Sequence, residues 1–466
     1  MFIEADAIPN DSIVDTDVCV VGSGAAGISF ALQFIDSPLR VLVLESGSKE
    51  GTERGRPDPL YDIESKHLQV SNASRRRGFG GTMTIWAGKW KGFDAIDFEK
   101  RSWIPLSGWP ITFQSLKQYY LRASESVHAP QDIDGPSVKT ILDGTVFQPT
   151  PFLVQQKKWL QWGEAFSPIF EYSSNVRIHL GAHLTRMVSK RNAVHSVNVR
   201  GHGNSYNVRA RFFVLAAGGI ENARQLLISD IGNEYDQVGR YYMDHPKGRC
   251  GIIECYKPVN LSGEWDVRGT HPLFVGFRLR DDVQRRECIL NSHIFLEPVY
   301  ERTLRNKIER RIFGRTSTSL LVVRNDLEQA PVASNRVRLS TNLDPLGLPK
   351  AQVEWSVGDL DKKTIVIFHQ YLKKSLQEID IGMLQSPLLE SSTPFSITQS
   401  AAHAMGTTRM GEDPHSSVVN EECKIYSKCN LFMAGSSVFP TSGYANPTAT
   451  ICALSVRLAD HIKTLV

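Results

Sequence analysis

Four stretches follow one another near the start of the chain: Asp17-Val-Cys-Val-Val21, Gly22-Ser-Gly-Ala-Ala-Gly27, Ile28-Ser-Phe-Ala-Leu-Gln-Phe-Ile35 and Arg40-Val-Leu-Val-Leu-Glu45. The first and last are short apolar runs of the kind that form strands buried on both faces. The third carries enough apolar residues to cover a helix packed on them. Strand, glycine turn, helix, strand and terminal acid make a βαβ unit for a dinucleotide. Gly22 permits the tight turn, Gly24 lets backbone approach a pyrophosphate, and Gly27 lets the helix sit close to the strand. Ala25 and Ala26 lie in the same loop, ahead of a helix whose free N–H groups and positive end favour phosphate. Glu45 falls roughly 20 residues on, where an acid accepts hydrogen bonds from ribose hydroxyls.

Two more strand-to-glycine junctions lie far downstream. Phe212-Phe-Val-Leu-Ala-Ala217 runs into Gly218-Gly219 and a helix at 222–227, and Leu431-Phe-Met-Ala434 runs into Gly435-Ser436-Ser437. Three such junctions so far apart imply one sheet assembled from distant pieces, with an inserted domain between them. The predicted fold class is α/β, α+β overall: a Rossmann-like domain of residues 1–95, 175–250 and 400–466, and an antiparallel-sheet domain of 96–174 and 251–399. In the latter, 249–256, 273–279, 289–296 and 318–324 read as short strands. Asp344-Pro-Leu-Gly347 reads as a turn between 336–339 and 351–355, and 359–374 as an amphipathic helix.

Composition excludes several classes. The 53 basic and 49 acidic residues nearly balance, and the Arg75-Arg76-Arg77 block is too short for a nucleic-acid footprint. The basic stretch 305–315 reads as a solvated helix face. No basic-then-apolar leader and no spanning apolar segment is read, and the seven scattered cysteines suit reduced thiols; the expected location is the cytoplasm. Cys423 and Cys429 with His403 and His415 match no common zinc spacing, so no metal is expected.

The glycine loop alone does not separate FAD from NAD. FAD is favoured by Gly80-Gly81-Thr82, a second glycine loop whose other reading is a surface turn, and by the two further junctions. Ala217, Gly435 and Ser436 would then lie against the cofactor.

His403-Ala-Met-Gly406-Thr-Thr-Arg409-Met-Gly411 and Tyr444-Ala-Asn446-Pro447-Thr448, taken with the N-terminal loop, resemble the glucose–methanol–choline (GMC) oxidoreductases. Gly108–Tyr120 and Val238–Pro246 resemble further segments of that family, so the likeness spans essentially the whole chain. It implies FAD, a histidine over the flavin that takes the alcohol proton, and hydride transfer to flavin N5. The histidine falls on His403 and its partner on Asn446. A His–Asn pair resembles the pyranose oxidase-like and bacterial sugar dehydrogenase members more than glucose oxidase. His183 is also assigned to the cofactor side.

The chemistry asks for these residue types independently. An alcohol does not release hydride readily until its proton leaves, so a base must sit within hydrogen-bond reach. Neutral histidine can accept that proton, and Asn446 can donate to the oxygen as charge builds. Pro447 and Thr448 open the last helix, whose N–H groups would face the flavin's N1/O2 edge. Relatives with covalently held flavin carry a histidine shortly after the glycine pair. Ile85 stands there, so the FAD is expected to be non-covalent. His245 fits a place near the substrate or a structural role equally. Trp86, Trp90 and Trp103 could stack on a sugar ring or pack in a core.

The expected activity is oxidation of a CH–OH group of a sugar, glycoside or similar polyol. The alternatives are a non-sugar alcohol (sterol, aryl alcohol or aminoglycoside intermediate) and a non-redox, lyase-type relative. The electron acceptor is oxygen, a quinone or a separate redox protein.

Overall fold

The computed structural model describes residues 1–52, 58–70, 75–261, 265–266, 271–300, 317–390 and 395–466. The basic stretch 305–315 lies outside the described residues. Ile13–Val21 forms a strand flanked on both sides by parallel partners, Val41–Leu44 and Ser205–Leu215. This sheet of eight described strands runs Phe2–Glu4, Val176–Leu180, Val41–Leu44, Ile13–Val21, Ser205–Leu215, Ala193–Arg200, His183–Lys190. Leu431–Met433 pairs parallel with the end of Ser205–Leu215. Val21, Leu215 and Met433 are in register, so all three glycine junctions leave the sheet side by side. The carboxyl ends of parallel strands are where such sheets bind ligands.

Two helices converge on that edge. Ala25–Leu32 follows the first glycine turn, and the last helix, Thr448–Thr464, packs against it and against Phe113–Ser126.

A second sheet of nine described strands is largely antiparallel. Its main path is Gly382–Gln385, Pro246–Asn260, Ser317–Asp326, His293–Pro298, Leu273–Leu279, Phe147–Val154, Lys89–Trp90. The helix Asp359–Glu378 lays Ile365, Phe368, Leu372 and Leu376, spaced at helical intervals, into a core beneath this sheet.

Two local expectations shift. The strand read from Ile289 begins at His293. The Leu290 N–H donates to Thr364 Oγ1 (3.1 Å) and that of Asn291 to Glu328 Oε2 (2.5 Å), so side chains take these donors before a ladder can. The turn at Asp344–Gly347 does join Arg336–Leu343 to Pro349–Trp355, but this hairpin forms a separate sheet with Ile63–His67. Arg224, on the helix Glu221–Ser229, donates to the Pro349 carbonyl (2.7 Å) and pairs with Asp344 (2.5 Å), drawing the hairpin to the first sheet's side.

The segment after the short helix Ala95–Phe98 is tied to the second sheet through buried charge. Arg101 donates to both oxygens of Glu328 (2.9 and 2.6 Å), with both side chains fully shielded from solvent. Asn291 bridges Glu328 to Asp97. Breaking one partner of such a pair costs about 3–5 kcal/mol, because the other charge is left buried and unpaired. Among the described residues no helix is long and apolar enough to cross a membrane.

Candidate active site

A cavity of about 660 Å³ runs from the first glycine turn to His403 and Asn446. Its dinucleotide end is shaped by what the glycines lack. A Cβ on Gly22 (φ +101°) would lie 2.6 Å from the Ala216 carbonyl oxygen, and one on Gly27 would lie 1.9 Å from the Gly22 carbonyl oxygen. Neither position tolerates a side chain, which is the tight turn and close helix packing read from the sequence. A Cβ on Gly24 meets nothing within 4 Å: that position opens onto the cavity. The second glycine loop stacks on the first, since a Cβ on Gly81 would lie 3.1 Å from Gly24 Cα. Gly81 and Thr82 line the cavity, and Gly80 (φ +93°) turns the chain behind them.

Glu45 is only 5% exposed, and its carboxylate is heavily engaged. Oε2 accepts from Ser23 Oγ (2.6 Å) and Ser23 N (3.2 Å), Oε1 from Gly47 N (2.8 Å) and Gly78 N (3.0 Å). It therefore holds the two glycine loops together at the cavity wall. His183 sits elsewhere, in a small adjoining cavity of about 70 Å³ beyond Glu45, where burial lowers its pKa to about 4. Ala217, Gly435, Ser436, Pro447 and Thr448 line the main cavity beside Ala25 and Ala26.

The other end holds two histidines. His403 Nδ1 is 2.9 Å from His245 Nδ1, and His403 Nε2 is 3.3 Å from Asn446 Nδ2. His245 Nε2 is 3.2 Å from the Ser442 carbonyl, which can only accept, so Nε2 carries the His245 proton. His245 Nδ1 is then an acceptor, His403 Nδ1–H donates to it, and His403 Nε2 keeps its lone pair. Burial, then the adjacent His245, holds the His403 pKa well below its ordinary value, so the ring stays neutral.

One carboxylate positions both rings. Asp244, fully buried, accepts at Oδ1 from the backbone N–H of His245 (2.7 Å), His403 (3.0 Å) and Ala401 (3.2 Å). Its Oδ2 accepts from Ser400 Oγ (2.5 Å), and its own N–H donates to Gln329 Oε1 (3.0 Å).

The structure thus brings together His403, Asn446, the glycine turns and the final helix, and leaves His183 aside. Trp86 lines the cavity. Trp90 is buried with its Nε1 on Ser124 Oγ, and Trp103 donates to the Ile289 carbonyl, so these two pack. Sequence reading left His245 between two roles and passed over Asp244 altogether. The wall facing His403 also comes from strands that carry no motif: Lys89, Lys247, His293, Phe295, Arg324 and Asp326.

The cavity fits an extended dinucleotide: bare backbone and two helix starts at one end, a base and an amide at the other. That combination suits an oxidoreductase working on a bound dinucleotide. The family model described as GMC oxidoreductase matches residues 331–455. The fructose dehydrogenase large subunit of Gluconobacter japonicus is 30% identical over 276 residues, 55% of this chain; the match spans 48% of that subunit, about half its length. The 2-methyl-1,2-propanediol dehydrogenase of Mycolicibacterium austroafricanum is 25% identical over 96% of this chain and 95% of its own. The crystal structure of pyridoxine 4-oxidase from Mesorbium loti superposes with a TM-score of 0.58 at 17% identity, covering 96% of this chain and 99% of that one. The C-terminal part of the chain is thus similar to the GMC oxidoreductases, the fold is shared with the solved neighbours along nearly its whole length, and the cofactor is FAD.

Proposed function

We propose that this protein oxidises a CH–OH group of a sugar, glycoside or similar polyol to a carbonyl, with His403 as the base. The observation that carries the reading is the hydrogen-bond chain from the Ser442 carbonyl through His245 to His403, which leaves His403 Nε2 an acceptor at the cavity's end, met by the Asn446 amide at 3.3 Å. FAD, when bound, supplies the hydride acceptor. The hydroxyl proton passes to His403 Nε2, hydride leaves the carbon with its electron pair, and the C–O bond becomes a carbonyl. Asn446 Nδ2, beside Nε2, steadies the oxygen as its proton leaves. The fixed placement of both groups supplies the orientation such a transfer requires.

The carbohydrate class draws support from the fructose dehydrogenase likeness and from Trp86 on the cavity wall. Non-covalent FAD draws support from Ile85, which lines the cavity and offers no nucleophile. The cofactor part is assigned to 1–95, 175–250 and 400–466 and the substrate part to 96–174 and 251–399. Seven unpaired cysteines favour the cytoplasm, and oxygen, a quinone or a separate redox protein takes the electrons.

Anaerobic mixing of the holoenzyme with fructose, glucosides and 1,2-diols tests the reading. Bleaching of the flavin by at least one is expected. Turnover of a substrate without any flavin reduction would point to lyase-type chemistry. Acid precipitation should release all the flavin; colour held in the pellet would contradict non-covalent binding.

A further inference from the structure

The cavity wall opposite the glycine turns is built from neighbouring antiparallel strands. Register places Lys247 beside Asp326 and Asp326 beside His293, one rung across Pro246–Asn260, Ser317–Asp326 and His293–Pro298. Two residues along, on the same face, Arg249, Arg324 and Phe295 form the next rung. Lys89 reaches the same wall from the sheet edge, its Nζ 4.1 Å from the centre of the Phe295 ring.

Pairing off the charges leaves a remainder. Arg324 takes Asp326 (2.6 Å), and Arg249 takes Glu297 (2.6 Å), which also lies 3.6 Å from Arg324. Lys89 and Lys247 both line the cavity, and among the described residues neither has a carboxylate partner. Between them sits His293, 3% exposed, with no hydrogen-bond partner at either ring nitrogen and its Nε2 3.6 Å from Asp326. A buried polar ring facing a cavity with both nitrogens unsatisfied calls for a ligand group. These cations belong to the reacting end. Lys247 and Lys89 both act electrostatically on His403, whereas the diphosphate end is the backbone of Gly22–Ala26.

We propose that the alcohol oxidised here carries an anionic group, a carboxylate or a phosphate, held between Lys89 and Lys247, with His293 bonding an adjacent substrate oxygen. The inference rests on the cavity being the alcohol site. It narrows the substrate class to acidic or phosphorylated polyols, since a neutral sugar would leave two half-buried ammonium groups without a counter-charge.

The test titrates the holoenzyme calorimetrically, without oxygen, with D-glucuronate, D-glucose 6-phosphate and D-glucose, and watches the flavin absorbance in the same samples. At least one anionic probe should bind about tenfold or more tighter than glucose. Lys247→Met and Lys89→Met should cut that preference about tenfold, and Lys247→Arg should largely restore it. In the unsubstituted enzyme, added salt should weaken the anionic probe and not glucose. Whichever of the two anions binds tighter identifies the group. No preference for either anion over glucose, or no binding of either, overturns the proposal. Tight anion binding with no flavin reduction by any alcohol, charged or neutral, would leave the anion site standing and overturn the oxidation itself.

Discussion

The two ends of the cavity are made of different material. The dinucleotide end is backbone: Gly22, Gly24, Gly27 and Gly81 act by having no side chain, and helix starts supply the N–H groups. The opposite wall is side chain: Lys247, His293, Arg324 and Asp326 stand on strands far apart in sequence and meet only through register. A cofactor common to a family can be met by a fixed local spacing. A substrate peculiar to one enzyme is met by whatever side chains a sheet presents. The first kind of site leaves a motif, and the second leaves none.

The largest effect should come beneath the side-chain wall, where the second sheet is anchored. Arg101→Met leaves Glu328 buried without its cation, and unfolding in denaturant should show a loss of about 3–5 kcal/mol. A change below 1 kcal/mol would mean the segment around Arg101 is held to the second sheet by other contacts.

Next is the carboxylate that sets the histidines. Asp244→Ala removes the acceptor for three backbone N–H groups beside His245 and His403. The rate of flavin reduction should fall about a hundredfold with FAD content kept, since a small misplacement of reacting groups costs that much. An unchanged rate would show that the loops hold the rings unaided.

Gly24→Val sharpens the contrast from the other side. Its Cβ has space around it, so the protein should fold with unchanged stability while FAD affinity, read by fluorescence on titration, drops about tenfold or more. Loss of folding instead would make Gly24 structural, like Gly22.

The smallest effect is a pH dependence confined to the substrate wall. Lys89 is held at about 8 by burial first and then by Arg324 and Lys247, opposed by Asp326 and Glu297. The lysine is charged below that value. The affinity for D-glucuronate should therefore be full below pH 8 and fall a few-fold as pH rises past it, with glucose unaffected. A flat profile would remove Lys89 from the anion site.

Legibility in the sequence followed the same division. The βαβ unit, the three junctions and the meeting of His403 with Asn446 were readable because each depends on neighbours in the chain or on a spaced motif. Gly27's packing role was readable for the same reason. Beside the ribose role proposed for it, Glu45 accepts hydrogen bonds from Ser23, Gly47 and Gly78, a loop-closing role that leaves no local signal. His183 took its assignment without a motif and sits in the adjoining cavity. Asp244 was hidden because, the adjacent His245 N–H apart, it accepts from the Ser400 hydroxyl and the Ala401 and His403 N–H groups, 156 or more residues away. The lysines of the wall were hidden because any lysine reads as surface until register turns it inward.

The central claim is that His403 Nε2 takes the alcohol proton, and stopped-flow reduction of the flavin by saturating substrate, without oxygen, tests it most directly. With His403→Ala the account predicts bound FAD and a reduction rate lower by about 10²–10⁴-fold. Reduction at the rate of the unsubstituted enzyme would contradict it.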